Sequence, residues 1–192
     1  MTTATSAQQL GKFLAALAAK QSTPGGGAAA AVGAGLGSAA ASMSAAYTQR
    51  KKDRESGAAV MAEALVAKLD FAKALQAADD DASAYADLQR TWKDTEMSAE
   101  EKKAIEARAL AVPVSLVEMC HDYILAIQGF LPDCNSNITS DAKVGIHQLA
   151  GAARAAYQTV LVNSPPQEEK DRLKALLLEI RKIEDELLDM VA

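Results

Sequence analysis

TPGGGAAAAVGAGLGSAAASMSAA, residues 23–46, carries no charged side chain and, beyond Val32, Leu36 and Met43, nothing bulkier than proline or threonine. Alanine is the strongest helix former, so a long helix is expected here. Two functional readings of so apolar a stretch fail on their chemistry. It is built of alanine, glycine and serine, not leucine, isoleucine and phenylalanine, so its transfer into lipid is only marginally favourable. Gly33-Ala34-Gly35-Leu36-Gly37 superficially suggests a dinucleotide-binding turn, but no strand precedes it, and that turn works only between a strand and a helix. What remains is a central helix whose small side chains let its neighbours approach closely. Thr23 is expected to cap it, with Pro24 in its first position, where a missing N–H costs nothing, and it should run to about Gln49.

Outward from this helix the pattern stays helical. Leu10, Phe13, Leu14 and Leu17 recur at helical spacing and predict a first helix over residues 5–20. After the central helix, Val60, Ala64, Ala67, Phe71, Ala74, Ala78, Asp81, Tyr85, Leu88 and Trp92 follow alternating steps of four and three, predicting one helix over 54–91 with a single stripe. Ser98-Ala99-Glu100-Glu101 opens a fourth, to about 129, in which Pro113 is a potential kink. Residues 132–139 read as a loop; Thr139 or Ser140 can cap a fifth helix, to about Asn163, which Ser164-Pro165-Pro166 stops. The last, 167–190, repeats Leu173, Leu176, Leu177, Ile180, Ile183, Leu187 and Val191. The expectation is an all-α bundle of about six helices, one domain over residues 1–192.

Composition narrows the function. Hydrophobic residues make up 49% of the chain, enough for a core without disulfides or metals, and aromatics only 4%. With a formal charge of −5 and mixed signs, no broad positive field exists to hold nucleic acid or an anionic membrane surface. Cys120 and Cys134 are far apart, which indicates neither a zinc site nor a disulfide framework. The N-terminal residues lack a basic region followed by an apolar one. A cytoplasmic protein is expected.

Asp81 is the sharpest chemical candidate. A carboxylate on an otherwise apolar stripe must be desolvated, which favours its proton-donating form; an exposed acidic turn at Asp79-Asp80-Asp81 is the alternative. Metal ligation by that run is disfavoured, because successive helical residues point about 100° apart. Gly25, Gly26 and Gly27 present unobstructed backbone N–H groups at a helix start, suited to an anion or a flat ligand, or simply to a tight turn. Arg50, Lys51, Lys52 and Arg54 form a basic patch able to attract carboxylates, or a solvated helix end. Asn135 to Asp141 concentrates amides and hydroxyls suited to capping or to a polar ligand contact. His121 and His147 have no partners at ligand spacing in the sequence and read as structural or exposed.

These landmarks together resemble the cyclodeaminase domain of the formiminotransferase-cyclodeaminase family, over residues 22–163. Pro24-Gly25-Gly26-Gly27 is similar to the family's PGGG, and Gly37, Met43, Thr48 and Lys51-Lys52 follow at its spacing. Asp79 and Asp81-Ala82-Ser83-Ala84-Tyr85 resemble the D-x-D-A-x-A-F segment; Val112-Pro113-Val114 and Asn135, Ser140, Asp141, Ala142 and Val144 match further segments. Ala28, Lys143 and Thr159 depart from the pattern. The resemblance implies a helical homodimer paired through its small-residue helices, with the site near the subunit contacts. It implies ring closure of 5-formimino-tetrahydrofolate to 5,10-methenyl-tetrahydrofolate with release of ammonia, Asp81 being the proton donor. No cofactor or metal is implied beyond the folate substrate, possible polyglutamylation included. Gly25 to Gly27 would touch the pterin or aminobenzoyl group, Lys51 and Lys52 the glutamyl carboxylates, and Asn135, Ser140 and Asp141 would contribute to substrate binding. Cyclohydrolase action on the methenyl product, and a folate-binding or helical scaffold without catalysis, are the rival readings.

Overall fold

In the computed structural model, which describes residues 9–190, the small side chains at the centre of the sequence set the packing. Helix α1 spans Leu10–Leu17, α2 Gly26–Ala46, α3 Lys51–Ser56, α4 Ala58–Lys68, α5 Phe71–Thr91, α6 Ala99–Phe130, α7 Thr139–Val162 and α8 Gln167–Leu187. The described residues include no strand. A Cβ added to Gly145 would stand 2.8 Å from both the Gly37 carbonyl oxygen and the Ala41 Cβ; one added to Gly37 would stand 2.9 Å from the Gly145 oxygen. The α2 and α7 backbones therefore touch, and only glycine fits where they cross. Gly33 faces Ala152 while Gly37 faces Leu149, and Gly27 faces Asp81 while Gly35 faces Leu75. α2 thus runs antiparallel to both α7 and α5, and its N-terminus lies beside their C-terminal halves. α2 and α6 are long and apolar enough to cross a membrane, but α2 spends its small-residue face on packing within this bundle.

The start of α2 differs from the expectation. Thr23 does not cap it and Pro24 is not its first residue: the Thr23–Pro24 peptide is cis, and Gly25, with extended backbone, precedes the first helical residue, Gly26. The helix also ends at Ala46 and not Gln49, because the next residues turn to meet the loop before α7. The Asn135 N–H donates to Thr48 Oγ1 at 3.0 Å and its amide to the Tyr47 carbonyl at 3.0 Å.

The single helix expected over 54–91 is three. Gly57, at φ 87°, ends α3 in a left-handed conformation that favours glycine. Asp70 interrupts the chain again: its carboxylate accepts the Lys73 N–H at 3.0 Å as an N-cap, and its own N–H donates to the Tyr123 hydroxyl at 3.2 Å. The break resets the helical phase, so the first half of the expected stripe faces outward. Val60 is 66% and Phe71 52% exposed, while Ala62, Leu65 and Leu69 are buried in their place. Ala74 and Ala78 of the stripe are buried and Asp81 is half-buried, but beyond it Tyr85 and Trp92 are exposed and Leu88 only half-buried, while Ala84 and Thr91, one position off the stripe, are buried instead.

The remaining helices follow local rules more closely. α1 is shorter than expected, with only Phe13 buried; residues 5–8 of that expectation, and Val191 of the last, lie outside the described residues. Ser98 and Glu101 form the capping box of α6, Ser98 Oγ accepting the Glu101 N–H at 3.2 Å and Glu101 Oε2 the Ser98 N–H at 3.0 Å. The helix continues through Pro113. α7 begins at Thr139 without a side-chain cap: the Thr139 hydroxyl instead donates back to the Asn135 carbonyl. Phe130, Ile124, Ile127, Ile146, Leu149, Leu173 and Ile180 fill the core between α6, α7 and α8. Both histidines meet carboxylates of α8, His121 Nε2 at 2.7 Å from Glu179 and His147 Nδ1 at 3.1 Å from Glu184, which also pairs with Arg154. They help fasten α8 to the bundle. Burial pushes the Cys120 thiol up to about 12, so it stays protonated.

Candidate functional site

The antiparallel arrangement leaves an opening of about 810 Å³ at one end of the bundle. Three walls form it: the α2 start (Ser22, Thr23, Gly25 to Gly27 and Ala29), one face of α5 (Asp81, Ala84, Tyr85, Leu88 and Trp92), and the last turns of α7 (Ala155, Gln158, Thr159, Val162 and Asn163), with Ala109 of α6 beneath. Asp81 is the sole charged group among the described residues lining it.

Asp81 is half-buried and locked against α2. It accepts a hydrogen bond from the Ala28 N–H, so a residue of α5 caps the helix that its own N-cap, Gly25, cannot cap with a side chain. Its carboxyl occupies the space a side chain at position 27 would need: a Cβ there would lie 2.5 Å from Cγ and 2.7 Å from Oδ2. Gly27 is therefore required by Asp81 and not by a turn. Gly25 and Gly26 differ, since a Cβ on either would meet nothing within 4 Å. Burial pushes the Asp81 carboxyl above the ordinary carboxylate range, and the Ala28 N–H pulls more weakly in the other direction. The site thus holds an acid that keeps its proton to higher pH than a surface aspartate, next to a helix N-terminus that stabilises the anion once the proton has left.

Among the residues singled out in the sequence, Gly25, Gly26, Gly27 and Asp81 meet here. Lys51, Lys52, Asn135, Ser140 and Asp141 lie at the other end of α2, which at 21 residues is about 30 Å long. Asn135 is buried and its polar atoms serve the joint between α2 and α7, its Oδ1 also accepting the Asn137 N–H at 3.1 Å. Ser140 donates to Asp141 at 3.3 Å on the surface. Arg50 is committed to Asp53 at 2.7 Å, while Lys51, its side chain 91% exposed, only approaches Glu55 at 3.8 Å. Among the described residues no group of three or more His, Cys, Asp or Glu side chains is placed to hold a metal ion. Sequence reasoning did not bring Gln158, Thr159 and Asn163 into the site: their one signal was the departure at Thr159, because an ordinary helix end carries no mark of what faces it.

Comparison with known proteins gives a consistent result. The sequence profile of the formiminotransferase-cyclodeaminase family matches residues 9–191. The fold is similar to the crystal structure of formiminotetrahydrofolate cyclodeaminase from Thermotoga maritima, with a TM-score of 0.71 and 20% identity over 93% of this chain and 91% of that one. At that identity the likeness speaks for the fold. No curated protein matches in a sequence comparison.

Proposed function

Because the chain belongs to the formiminotransferase-cyclodeaminase family, we propose that it is a formimidoyl-tetrahydrofolate cyclodeaminase with Asp81 as its general acid. The observation that carries this reading is a single, desolvated, proton-retaining carboxyl in an otherwise uncharged cavity. N10 of 5-formimino-tetrahydrofolate attacks the formimino carbon, forming the new C–N bond. The former imino nitrogen, which enters protonated as the amidinium and is an NH2 group in the adduct, takes a further proton from Asp81 and leaves as NH3, giving the methenyl cation, while the N10 proton restores the carboxyl. Such acid–base catalysis contributes on the order of 100- to 10,000-fold, so Asp81→Asn loses turnover by that order while remaining folded. Gly25 and Gly26 lie along the flat part of the substrate.

The reading extends to a homodimer. The outward face of α2 has no charge and exposes Leu36, Met43 and Tyr47, which supports pairing through it. Two copies paired antiparallel there would bring Lys51 and Lys52 of one toward the cavity of the other. That arrangement would supply the cation that the cavity lining of one chain lacks for a glutamyl or polyglutamyl tail.

The deciding experiment supplies 5-formimino-tetrahydrofolate and follows the methenyl chromophore together with released ammonia. Appearance of both is expected. Accelerated loss of added 5,10-methenyl-tetrahydrofolate without ammonia chemistry would instead make the protein a cyclohydrolase, and silence in both assays would leave a scaffold.

A further inference from the structure

One wall of the cavity has no part in the proton chemistry. Tyr85, Leu88 and Trp92 follow Asp81 at steps of four, three and four and share its face of α5. Trp92 is 65% exposed and Tyr85 37%, yet their rings are fixed against each other edge to face, with centroids 6.2 Å apart and planes at 82°. An indole so placed is already oriented and still has apolar area to bury. Because α2 and α5 run antiparallel, with Gly27 beside Asp81, the segment before Gly27 runs along this aromatic wall. There Gly25 and Gly26 leave open space where side chains would stand. The result is a slot between bare backbone and an aromatic face.

We infer that this slot holds the aryl ring of the substrate, with Trp92 as the residue that sets affinity for it; the inference rests on the folate reading above. The reacting nitrogens must lie within hydrogen-bond reach of Asp81. Tyr85 and Trp92 follow it by one and three turns, about 6 and 16 Å of helical rise, with the Trp92 ring turned back onto Tyr85. The aminobenzoyl ring is bonded to the attacking N10 and carries the charged glutamyl tail, which must reach water. It therefore lies between the acid and the exposed end of the cavity, while the pterin points inward.

Trp92 is the sole tryptophan, so its fluorescence reports on the slot directly. Titration with 5-formyl-tetrahydrofolate, p-aminobenzoylglutamate and a reduced pterin lacking the aryl group should quench it saturably with the first two and not the third. By calorimetry, Trp92→Ala should weaken 5-formyl-tetrahydrofolate binding about tenfold and Trp92→Phe by less than about threefold. In turnover Trp92→Ala should raise KM with little change in kcat. Parent-level affinity in Trp92→Ala, or quenching by the pterin alone, overturns the assignment while the folate reading stands. Failure of the parent protein to bind 5-formyl-tetrahydrofolate at all overturns both.

Discussion

Gly27→Ala tests the geometry of the site without touching an ionisable group. The added Cβ would stand 2.5 Å from Asp81 Cγ, where carbon atoms prefer 3.5 Å or more, so the carboxyl must retreat by about 1 Å. A displacement of that size at reacting atoms costs about 100-fold in rate. The effect on stability is small by comparison. Losing the hydrogen bond from the Ala28 N–H costs about 1 kcal/mol, and alanine in place of glycine in a helix returns about 0.5–1 kcal/mol. The melting temperature should therefore move by no more than about 2–4 °C. The assay is methenyl formation from 5-formimino-tetrahydrofolate by Gly27→Ala, Asp81→Asn and the double variant, each with its thermal melt. Because Gly27 acts only through Asp81, the double variant should be no slower than Asp81→Asn alone. Parent-level turnover in Gly27→Ala, or a double variant slowed by the full product of the two effects, would refute the reasoning.

Asp81→Asn should also change the pH dependence of stability. The folded carboxyl is raised, so the stability it contributes is present below its unfolded value and is lost as pH rises through the folded one. Asparagine should therefore raise the melting temperature at neutral pH, with the gain shrinking as pH falls toward about 4; a gain that stays flat on acidification counts against a desolvated acid. Lys51→Ala should raise KM for the glutamylated substrate more than it lowers turnover. Mixing Lys51→Ala/Lys52→Ala with Asp81→Asn should restore activity through mixed dimers, and no recovery after subunit exchange would place the lysines outside the site. Gly145→Ala forces its Cβ against the Gly37 carbonyl and Ala41 and should cost about 1–3 kcal/mol by denaturant unfolding, whereas an unchanged midpoint would mean that the two helices separate freely.

The sequence by itself was enough for what short-range rules govern. The all-helical class, the capping box at Ser98, the stop at Pro165-Pro166 and the small-residue character of α2 depend on neighbours within about one turn. Asp81 was legible for the same reason, as the one carboxylate at an apolar position of a local repeat. The break at Asp70 is partly local, an aspartate before a phenylalanine being a helix start, but its anchoring to the Tyr123 hydroxyl needs α6. Periodicity alone ran through it and mistook the outward face for the inward one.

Only the tertiary structure could decide what Asp81 faces. Its burial, its bond to the Ala28 N–H and its claim on the space at Gly27 all come from a helix start more than fifty residues away in the chain. The same packing divides the candidate residues between the two ends of α2 and brings the plain end of α7 into the cavity. Whether a carboxyl keeps its proton depends on what displaces water around it, and that is fixed by the crossing of α2 with α5 and α7, which no local pattern encodes.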